Sequence, residues 1–245
     1  MGAEGVVVRA RYASKYTTMQ GRTTSTEPPK KPELRRRTPR TLSRELRRKQ
    51  LFEATLDAIA ESGLHRSTLS EVARRAGVSH GLVLFHFETK EKLLAETLDY
   101  LSEEHRENWS TAMLSAGLMP EQRLAALIEA DFKPEVCRPN RLAAWCAYWG
   151  ESQSRPLYLS RCGGNDELYI STMDGICAEM KAAYGYENDP ARAGRLIRIA
   201  IEGTWLEIIT LLHPYDVKEA KATVWNCASL LYPRHFGLDG LIKKP

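Results

Sequence analysis

The segment from Thr68 to Leu93, TLSEVARRAGVSHGLVLFHFETKEKL, constrains the fold of this chain more than any other stretch. Apolar residues recur at helical spacing on both sides of the sequence AGVS, which predicts two short helices that meet there. Gly77 permits a sharp turn between them, and Ser79 is a typical N-cap for the second helix. Two helices joined in this way by a short glycine-containing turn form a helix-turn-helix, whose second helix can enter the major groove of DNA.

Helical spacing continues on both sides of this segment. Upstream, Leu51, Leu56 and Ile59 predict a first helix over 43–62, which Gly63 stops. Thr68 caps a second helix that ends at Ala76, Ser79 a third that ends at Phe87, and Thr89 a fourth that ends near Leu114. Prolines then separate further helical segments near 120–133, 139–153, 156–185, 190–212 and 216–232. No alternating strand pattern persists, so the predicted fold class is all-α.

Charge is distributed unevenly along the 245 residues. Of the 35 basic and 31 acidic side chains, 14 and 4 lie in residues 1–50, which gives that segment a net charge of +10 and the remainder −6. A basic end on an acidic body predicts contact with a polyanion at one end only. Residues 1–42 are rich in Pro and Thr without an apolar period, which predicts a disordered basic arm. The arm either contacts DNA or is a solvated tail.

Composition and motifs argue against several classes of protein. No run approaches the ~18 apolar residues of a transmembrane helix, so we expect no membrane span, and the first residues lack a secretory signal pattern. The five cysteines are odd in number and contain no CxxC pair, which favours reduced thiols in a cytoplasmic protein. We find no nucleophile elbow, HExxH motif or glycine-rich phosphate loop, and therefore expect no enzyme activity, metal or cofactor.

The sequence LFEATLDAIAESGLHRSTLSEVARRAGVSHGLVLFHFETKEKLL resembles the N-terminal domain of the TetR family at the same spacing throughout. The shared features are an apolar first helix that ends in Gly, a Thr that caps the second helix, AGVS-x-G, an HF pair and K-x-x-L at the start of the fourth helix. The resemblance covers residues 47–94 and implies a three-helix DNA-binding domain over 43–90. The residues expected on a pseudo-palindromic double-stranded operator are Arg47, Arg48, Thr68, Ser79, His80, Gly81, Leu82, Phe85, His86 and Lys90.

The predicted reading helix departs from the family pattern. Leu84 stands where the family usually has a phosphate-binding Tyr, and Leu82 and Phe85 replace commoner polar residues. Apolar groups can contact thymine methyls, so these changes would shift specificity. The predicted core face is Val83 and Phe87, and the residues placed nearer the groove are His80, Leu82, Phe85 and His86. The alternative for Phe85 is a buried packing residue.

The C-terminal body is rich in large aromatic side chains, which are Phe132, Trp145, Tyr148, Trp149, Tyr158, Tyr169 and Trp205. Trp145 and Trp149 are four residues apart and share a helix face, as do Glu202 and Trp205, which are three apart. Tryptophan rings with a nearby carboxylate can form a cage for a quaternary ammonium, because ring faces attract cations. The alternative interpretation is an ordinary core, in which such stripes also occur.

The segments DFKPEVCRPNRLAAWCAYWGESQSRPLY and AIEGTWLEIITLL resemble the C-terminal domain of BetI-type members of the family, which are choline-responsive repressors of betaine synthesis. The looser match, over most of 120–232, implies a helical effector-binding and dimerisation domain over 91–235, followed by a C-terminal tail over 236–245. Lys133, where an acid is usual, and the Gly163–Gly164 pair inside a normally continuous helix depart from the pattern. The expected effector-binding residues are Phe132, Trp145, Tyr148, Trp149, Glu202 and Trp205.

These observations predict a homodimeric TetR/BetI-like repressor that a small cationic, choline-like effector releases from its operator. As in the family, the dimer surface is expected to be a four-helix bundle of the helices near 165–185 and 190–212. Two alternatives keep the fold: a transcriptional activator, and a regulator that responds to an unrelated effector. The sequence leaves both alternatives open, because promoter position decides between activation and repression.

Overall fold

The computed structural model of this chain describes residues 43–150, 155–211 and 215–242. The predicted basic arm, 1–42, lies outside the described residues. Within them the chain forms nine helices and one pair of short strands. The helices are α1 Arg44–Arg66, α2 Leu69–Ala76, α3 His80–Phe87, α4 Lys90–Ser115, α5 Pro120–Asp131, α6 Pro139–Gly150, α7 Arg155–Tyr184, α8 Pro190–Thr210 and α9 Val217–Leu231. The strands are β1 Phe236–Gly237 and β2 Gly240–Leu241. The all-α prediction is confirmed.

Capping side chains set the starts of the first helices. The hydroxyls of Thr68, Ser79 and Thr89 each accept the backbone N–H three residues on, as their positions in the sequence predict. Gly77 adopts the left-handed conformation, with φ 64° and ψ 35°, and so makes the turn between α2 and α3. Gly63 has φ 76°, so it interrupts α1 where the sequence predicts a stop, and one further helical turn follows.

Two hydrophobic cores divide the described chain. The smaller one is built from α1–α4 around Leu51, Val72, Val83 and Phe87, and it holds the helix-turn-helix together. The larger one takes residues from α4 to α9 and also from the C-terminal half of α1, including Ile59. Because α1 and α4 contribute to both cores, movement of the body can reach the helix-turn-helix. The predicted division of the chain at residue 90 stays a prediction.

Helices α7 and α8 pack closely along the body. A β-carbon placed on Gly194 of α8 would lie 2.4 Å from Asp174 Oδ1 of α7, so a larger residue there would displace the Asp174 carboxylate. The Gly163–Gly164 pair does not break α7, which is continuous from Arg155 to Tyr184. None of the helices in the described segments is long and apolar enough to cross a membrane.

The described part of the predicted C-terminal tail, residues 236–242, contains a short strand pair. Residues 236–241 form an antiparallel pair in which Phe236 faces Leu241. The Phe236 ring stacks on Trp225 of α9, with ring centroids 5.8 Å apart. Strands of two residues are too short to produce an alternating pattern, which explains why the sequence did not predict them.

Candidate DNA-reading helix and ligand cavity

Helix α3 buries one face and presents the other to solvent. Val83 and Phe87 are fully buried, as predicted. Phe85 is 75% exposed, so the alternative in which it is a packing residue is wrong. The neighbouring predicted contacts Ser79, His80 and Gly81 are exposed, and Leu82 is partly exposed. An exposed apolar ring on a solvent-facing helix is available for a partner.

His86 does not lie on the predicted groove-facing side, because it is 7% exposed. The physical reason is its spacing: residue 86 is three positions after the buried Val83 and adjacent to the buried Phe87, so it shares the inward side of the helix. Burial lowers the pKa of His86, and the positive charge of Arg48 lowers it further. Both effects favour the neutral imidazole, and a contact between His86 and DNA stays a prediction.

Arg48, another predicted DNA contact, is engaged within the fold. It forms an ion pair with Glu96 of α4, and its guanidinium lies 4.7 Å from the ring centroid of Phe87. Its Nη1 also donates to the carbonyl of His86 at 3.4 Å. Arg48 thus fastens α1 to α3 and α4, which uses much of its hydrogen-bonding capacity. A contact between Arg48 and DNA stays a prediction.

The remaining predicted DNA contacts lie at the ends of helices. Arg47 is partly exposed and donates to Gln50 Oε1 at 2.6 Å. Lys90 Nζ, at the start of α4, donates to the carbonyl of His65 at 2.6 Å. Thr68 is exposed at the start of α2. Lysine and arginine at helix ends can contact phosphate, so these positions suit backbone anchors.

A cavity of about 90 Å³ lies between α4, α5, α6, α7 and α8. One water molecule needs about 10–15 Å³ of comparable space, so the cavity can hold a small organic molecule. Its aromatic lining is Trp145, Trp149, Tyr158, Tyr169 and Trp205. Its charged or titratable lining is His105, Asp131, Asp166, Arg198 and Glu202.

The rings form connected walls. Trp145 and Trp149 stack with centroids 5.8 Å apart, and the Tyr158 ring meets Trp145 nearly at a right angle at 6.3 Å. The His105 ring lies 6.2 Å from Trp145 and 5.8 Å from Trp205. Trp149 is 36% exposed, whereas Trp145 and Trp205 are buried. Such walls attract cations, because the face of an aromatic ring carries negative potential.

Asp131, buried at the end of α5, ties three helices together at the cavity. Its Oδ1 lies 2.9 Å from His105 Nε2, and its Oδ2 accepts a hydrogen bond from the Tyr169 hydroxyl. Its backbone carbonyl accepts the indole N–H of Trp205 at 3.1 Å. Burial raises the pKa of Tyr169 well above its ordinary value, and the Asp131 carboxylate adds to that rise. The phenol therefore stays a donor, and both Asp131 oxygens are occupied.

The other two carboxylates differ in their partners. Glu202 Oε1 accepts a hydrogen bond from Arg198 Nη1 at 2.9 Å within an ion pair on α8. Asp166 Oδ2 accepts a hydrogen bond from the Tyr158 hydroxyl at 2.9 Å. Burial raises the pKa of Asp166, and the Tyr158 hydrogen bond offsets only part of that rise. Burial thus disfavours the ionised form of Asp166, and a nearby cation would favour it.

Four of the six predicted effector-binding residues line this cavity, and two do not. Trp145, Trp149, Glu202 and Trp205 line it. Tyr148 is fully buried elsewhere on α6, and its hydroxyl donates to the Leu94 carbonyl at 2.8 Å. Phe132 packs in the larger core beside the cavity. Tyr148 lies on a different face of α6 from Trp145 and Trp149, and Phe132 follows the last residue of α5. Neither side chain therefore reaches the cavity.

The sequence interpretation missed His105, Asp131 and Asp166 as cavity residues. Tyr158 and Tyr169 belong to the aromatic set recognised in the sequence, but nothing there assigned them to the site. The missed groups come from α4, α5 and α7, far apart in the chain, so no local spacing connects them. Only the packing of these helices reveals the cluster.

A helix-turn-helix joined to a helical body is the architecture of a DNA-binding transcriptional regulator. Residues 51–97 match the family described as bacterial regulatory proteins, tetR family, and residues 120–228 match the BetI-type transcriptional repressor C-terminal family. The chain belongs to the TetR family of transcriptional regulators, and within it to the BetI-type regulators.

Individual proteins agree with this assignment. The HTH-type transcriptional regulator BetI of Yersinia pestis (strain Pestoides F) is 30% identical over 183 residues, which cover 74% of this chain and 90% of that protein. That of Paraburkholderia phytofirmans is 31% identical over 185 residues, covering 74% of this chain and 91% of that protein.

Solved structures share the fold. A putative transcriptional regulator from Pseudomonas aeruginosa PAO1 has a TM-score of 0.67 at 24% identity, over 78% of this chain and 93% of its own. A putative regulator from Saccharomonospora viridis, solved in complex with choline, has a TM-score of 0.63 at 17% identity, over 74% of this chain and 95% of its own.

Proposed function

We propose that this regulator is a homodimeric repressor that leaves its operator when a small quaternary ammonium compound such as choline enters the aromatic cavity. The observation that carries the proposal is the convergence of Trp145, Trp149, Tyr158 and Trp205 with three carboxylates around one enclosed space. The Saccharomonospora viridis regulator, which has a similar fold, was solved in complex with choline. The proposed action is DNA binding in the cytoplasm, with no catalytic step.

An apolar stripe on α7 and α8 supports the homodimer. On α8, Leu196, Ile199 and Leu206 are about half exposed, and their spacings of three and seven residues place them on one helix face. On α7, Leu168 is exposed, and the small Gly175 and Ala178 follow on the same face. Two copies of this surface can pack as a four-helix bundle, which would bury the stripe. The reading helices of a dimer must then meet grooves about 34 Å apart.

Polar contacts connect the cavity helix α6 to the DNA-binding helices. Arg141 is one turn before Trp145 on α6, and its guanidinium donates to both Glu53 oxygens of α1 at 2.6 and 2.7 Å. Gln50 Nε2 of α1 in turn donates to the carbonyl of Ala76, at the end of α2, at 2.7 Å. A ligand that displaces α6 would therefore move α1 and the reading helix with it. The effector would then release DNA if it binds more tightly to a state of the dimer in which the distance between the two reading helices no longer fits the operator.

We expect Phe85→Ala and Lys90→Ala to affect DNA binding differently. Phe85→Ala removes an exposed apolar contact to bases, so the order of preference among operator variants should change at unchanged thermal stability. Lys90→Ala removes a phosphate contact, so affinity should fall on all sequences and the salt slope should flatten by about 0.9. Fluorescence anisotropy on a panel of labelled duplexes over a range of salt measures both effects. Unchanged base preference in the Phe85 variant would remove that residue from sequence recognition.

Calorimetry with choline, betaine and betaine aldehyde tests the effector class. The matched uncharged ligand is the carbon isostere of choline, in which a tert-butyl group replaces trimethylammonium. We expect the quaternary ammonium compounds to bind and the uncharged isostere to bind far more weakly. Trp149→Ala should weaken choline binding about thirtyfold, since a desolvated cation–π contact contributes about 2 kcal/mol. Trp149 is at the cavity surface, so folding should survive its removal.

Tyr215→Ala, which removes a half-buried ring outside the cavity, is the control for loss of an aromatic side chain. It should leave choline affinity at the wild-type value. Equal binding of choline and its isostere, or no binding of either, would contradict the proposed effector class and leave the DNA-binding function standing.

A further inference from the structure

The three cavity carboxylates are not equally available to a cation. Asp131 uses both oxygens, for His105 and for Tyr169. Glu202 is paired with Arg198. In the part of the chain that the structure describes, Asp166 forms no ion pair, and its hydrogen bond comes from the neutral phenol of Tyr158. Of the three carboxylates, Asp166 is the one without an ion-pair partner among the described residues.

The total charge around the cavity supports the same conclusion. Arg198 from α8 offsets one of the three carboxylates, and His105 from α4 offsets another only when it is protonated. With all three carboxylates ionised, the lining is therefore negative whether or not His105 is protonated. Both positive groups are close enough to lower the pKa of Asp166, but burial raises it by more. A small cation in the cavity would supply the missing charge.

Tyr158 places the Asp166 carboxylate beside the aromatic wall. Both residues are on α7, two helical turns apart, and the hydrogen bond of 2.9 Å between them fixes the carboxylate. The same Tyr158 ring packs edge-on against Trp145. A trimethylammonium group that contacts the Trp145 and Tyr158 rings would thus lie next to Asp166. A quaternary ammonium group has no N–H and cannot donate a hydrogen bond, so its selection depends on ring faces and on a nearby negative charge.

We propose that Asp166, held by Tyr158, is the counter-ion that makes the cavity select cations over neutral molecules of the same shape. This inference rests on the proposed function, since it assigns the selecting charge within the proposed effector site. It differs from the sequence expectation, which gave that role to Glu202. The Arg198 partner of Glu202 already neutralises that carboxylate, so Glu202 contributes less to selection.

The test compares choline with its tert-butyl isostere by calorimetry on the full-length wild-type protein and on Asp166→Asn. We expect Asp166→Asn to weaken choline binding by about tenfold or more, because a unit charge is removed from a desolvated site, and to leave isostere binding unchanged. The preference for the cation should therefore shrink by the same factor. Glu202→Gln should shrink it less. Melting curves should show that the Asn variant is folded, because its neutral side chain avoids the cost of burying a charge.

Glu167→Gln is the matched control, because it removes one negative charge from the adjacent, outward-facing position of the same helix. It should keep the wild-type preference. Asp166→Ser also removes the charge and should shrink the preference for choline as Asp166→Asn does. Agreement between the two variants excludes an effect specific to the asparagine side chain. If Asp166→Asn and Asp166→Ser keep the full preference for choline, Asp166 is not the counter-ion, although the proposed effector class survives. If the wild type itself shows no preference, both proposals fall together.

Discussion

Arg141→Ala is expected to lower the free energy of unfolding by about 3 kcal/mol, since removing one partner of a buried ion pair strands the other charges. Arg141 is 2% exposed and bonds to Glu53 of α1 and Glu104 of α4. Burial lowers the pKa of Arg141, but the hydrogen bonds to the two glutamates outweigh it and raise the pKa overall. Both glutamates are about one-third exposed, which places the expected loss at the low end for buried pairs. Urea unfolding at fixed protein concentration measures it.

Arg106→Ala is the control for the Arg141 prediction, because Arg106 pairs with Glu103 at the surface of α4. Its loss should cost less than about 1 kcal/mol. The Arg141 effect should also depend on pH. Burial raises the pKa of Glu53, but the Arg141 hydrogen bond and other contacts lower it overall. The stabilisation is then present above the ordinary pKa and lost as pH falls through the lowered one. A similar loss for Arg106→Ala would contradict the special role of the Arg141 network.

Ile199→Arg is expected to turn the proposed homodimer into a monomer and to weaken operator binding about a hundredfold or more, because two linked reading heads gain affinity from a high effective concentration. Ile199 is 52% exposed at the centre of the α8 stripe, and the substitution would place two charges against each other at a two-fold contact. Analytical ultracentrifugation gives the oligomeric state, and anisotropy gives the operator affinity. Helicity of the monomer should be unchanged, because the side chain is about half exposed and lies outside the buried core.

Leu114→Arg provides the matched comparison, since Leu114 is an exposed leucine at the end of α4 and away from the stripe. That variant should remain dimeric with wild-type operator affinity. A dimeric Ile199→Arg protein would move the dimer interface to another surface. A monomer that still binds the operator fully would contradict the need for two linked heads.

Local features of the fold were predictable from sequence because local interactions cause them. The caps at Thr68, Ser79 and Thr89 and the turn at Gly77 depend on residues within one helical turn, and all occur as predicted. The predicted exposure of His86 was wrong because, on an eight-residue helix, a groove-facing residue and a core-facing residue can be direct neighbours in the sequence. Its neighbour Phe85 is exposed at that same boundary.

The cavity was predictable only in part, since it depends on contacts between helices distant in sequence. Trp145 and Trp149 share one helix, so their spacing placed them together correctly. Asp166 meets the aromatic wall only because α7 runs past α6, and Asp131 only because α5 ends beside α4 and α8. Glu202 was located correctly, but its pairing with Arg198, four residues earlier, was not anticipated. For Glu202, the sequence indicated a position at the cavity but not the charged side chain that pairs with it.

The most direct test of the account joins the cavity to DNA. A duplex selected by the protein itself from a random library serves as the operator, and its affinity is measured by anisotropy while choline is added. We expect choline to weaken operator binding by about tenfold or more, and the effect to saturate as choline is added. The tert-butyl isostere should have no such effect at the same concentrations, and the Trp149→Ala protein should need about thirtyfold more choline for the same release. Choline that binds the protein in calorimetry but leaves operator affinity unchanged would contradict the claim that this cavity controls DNA binding.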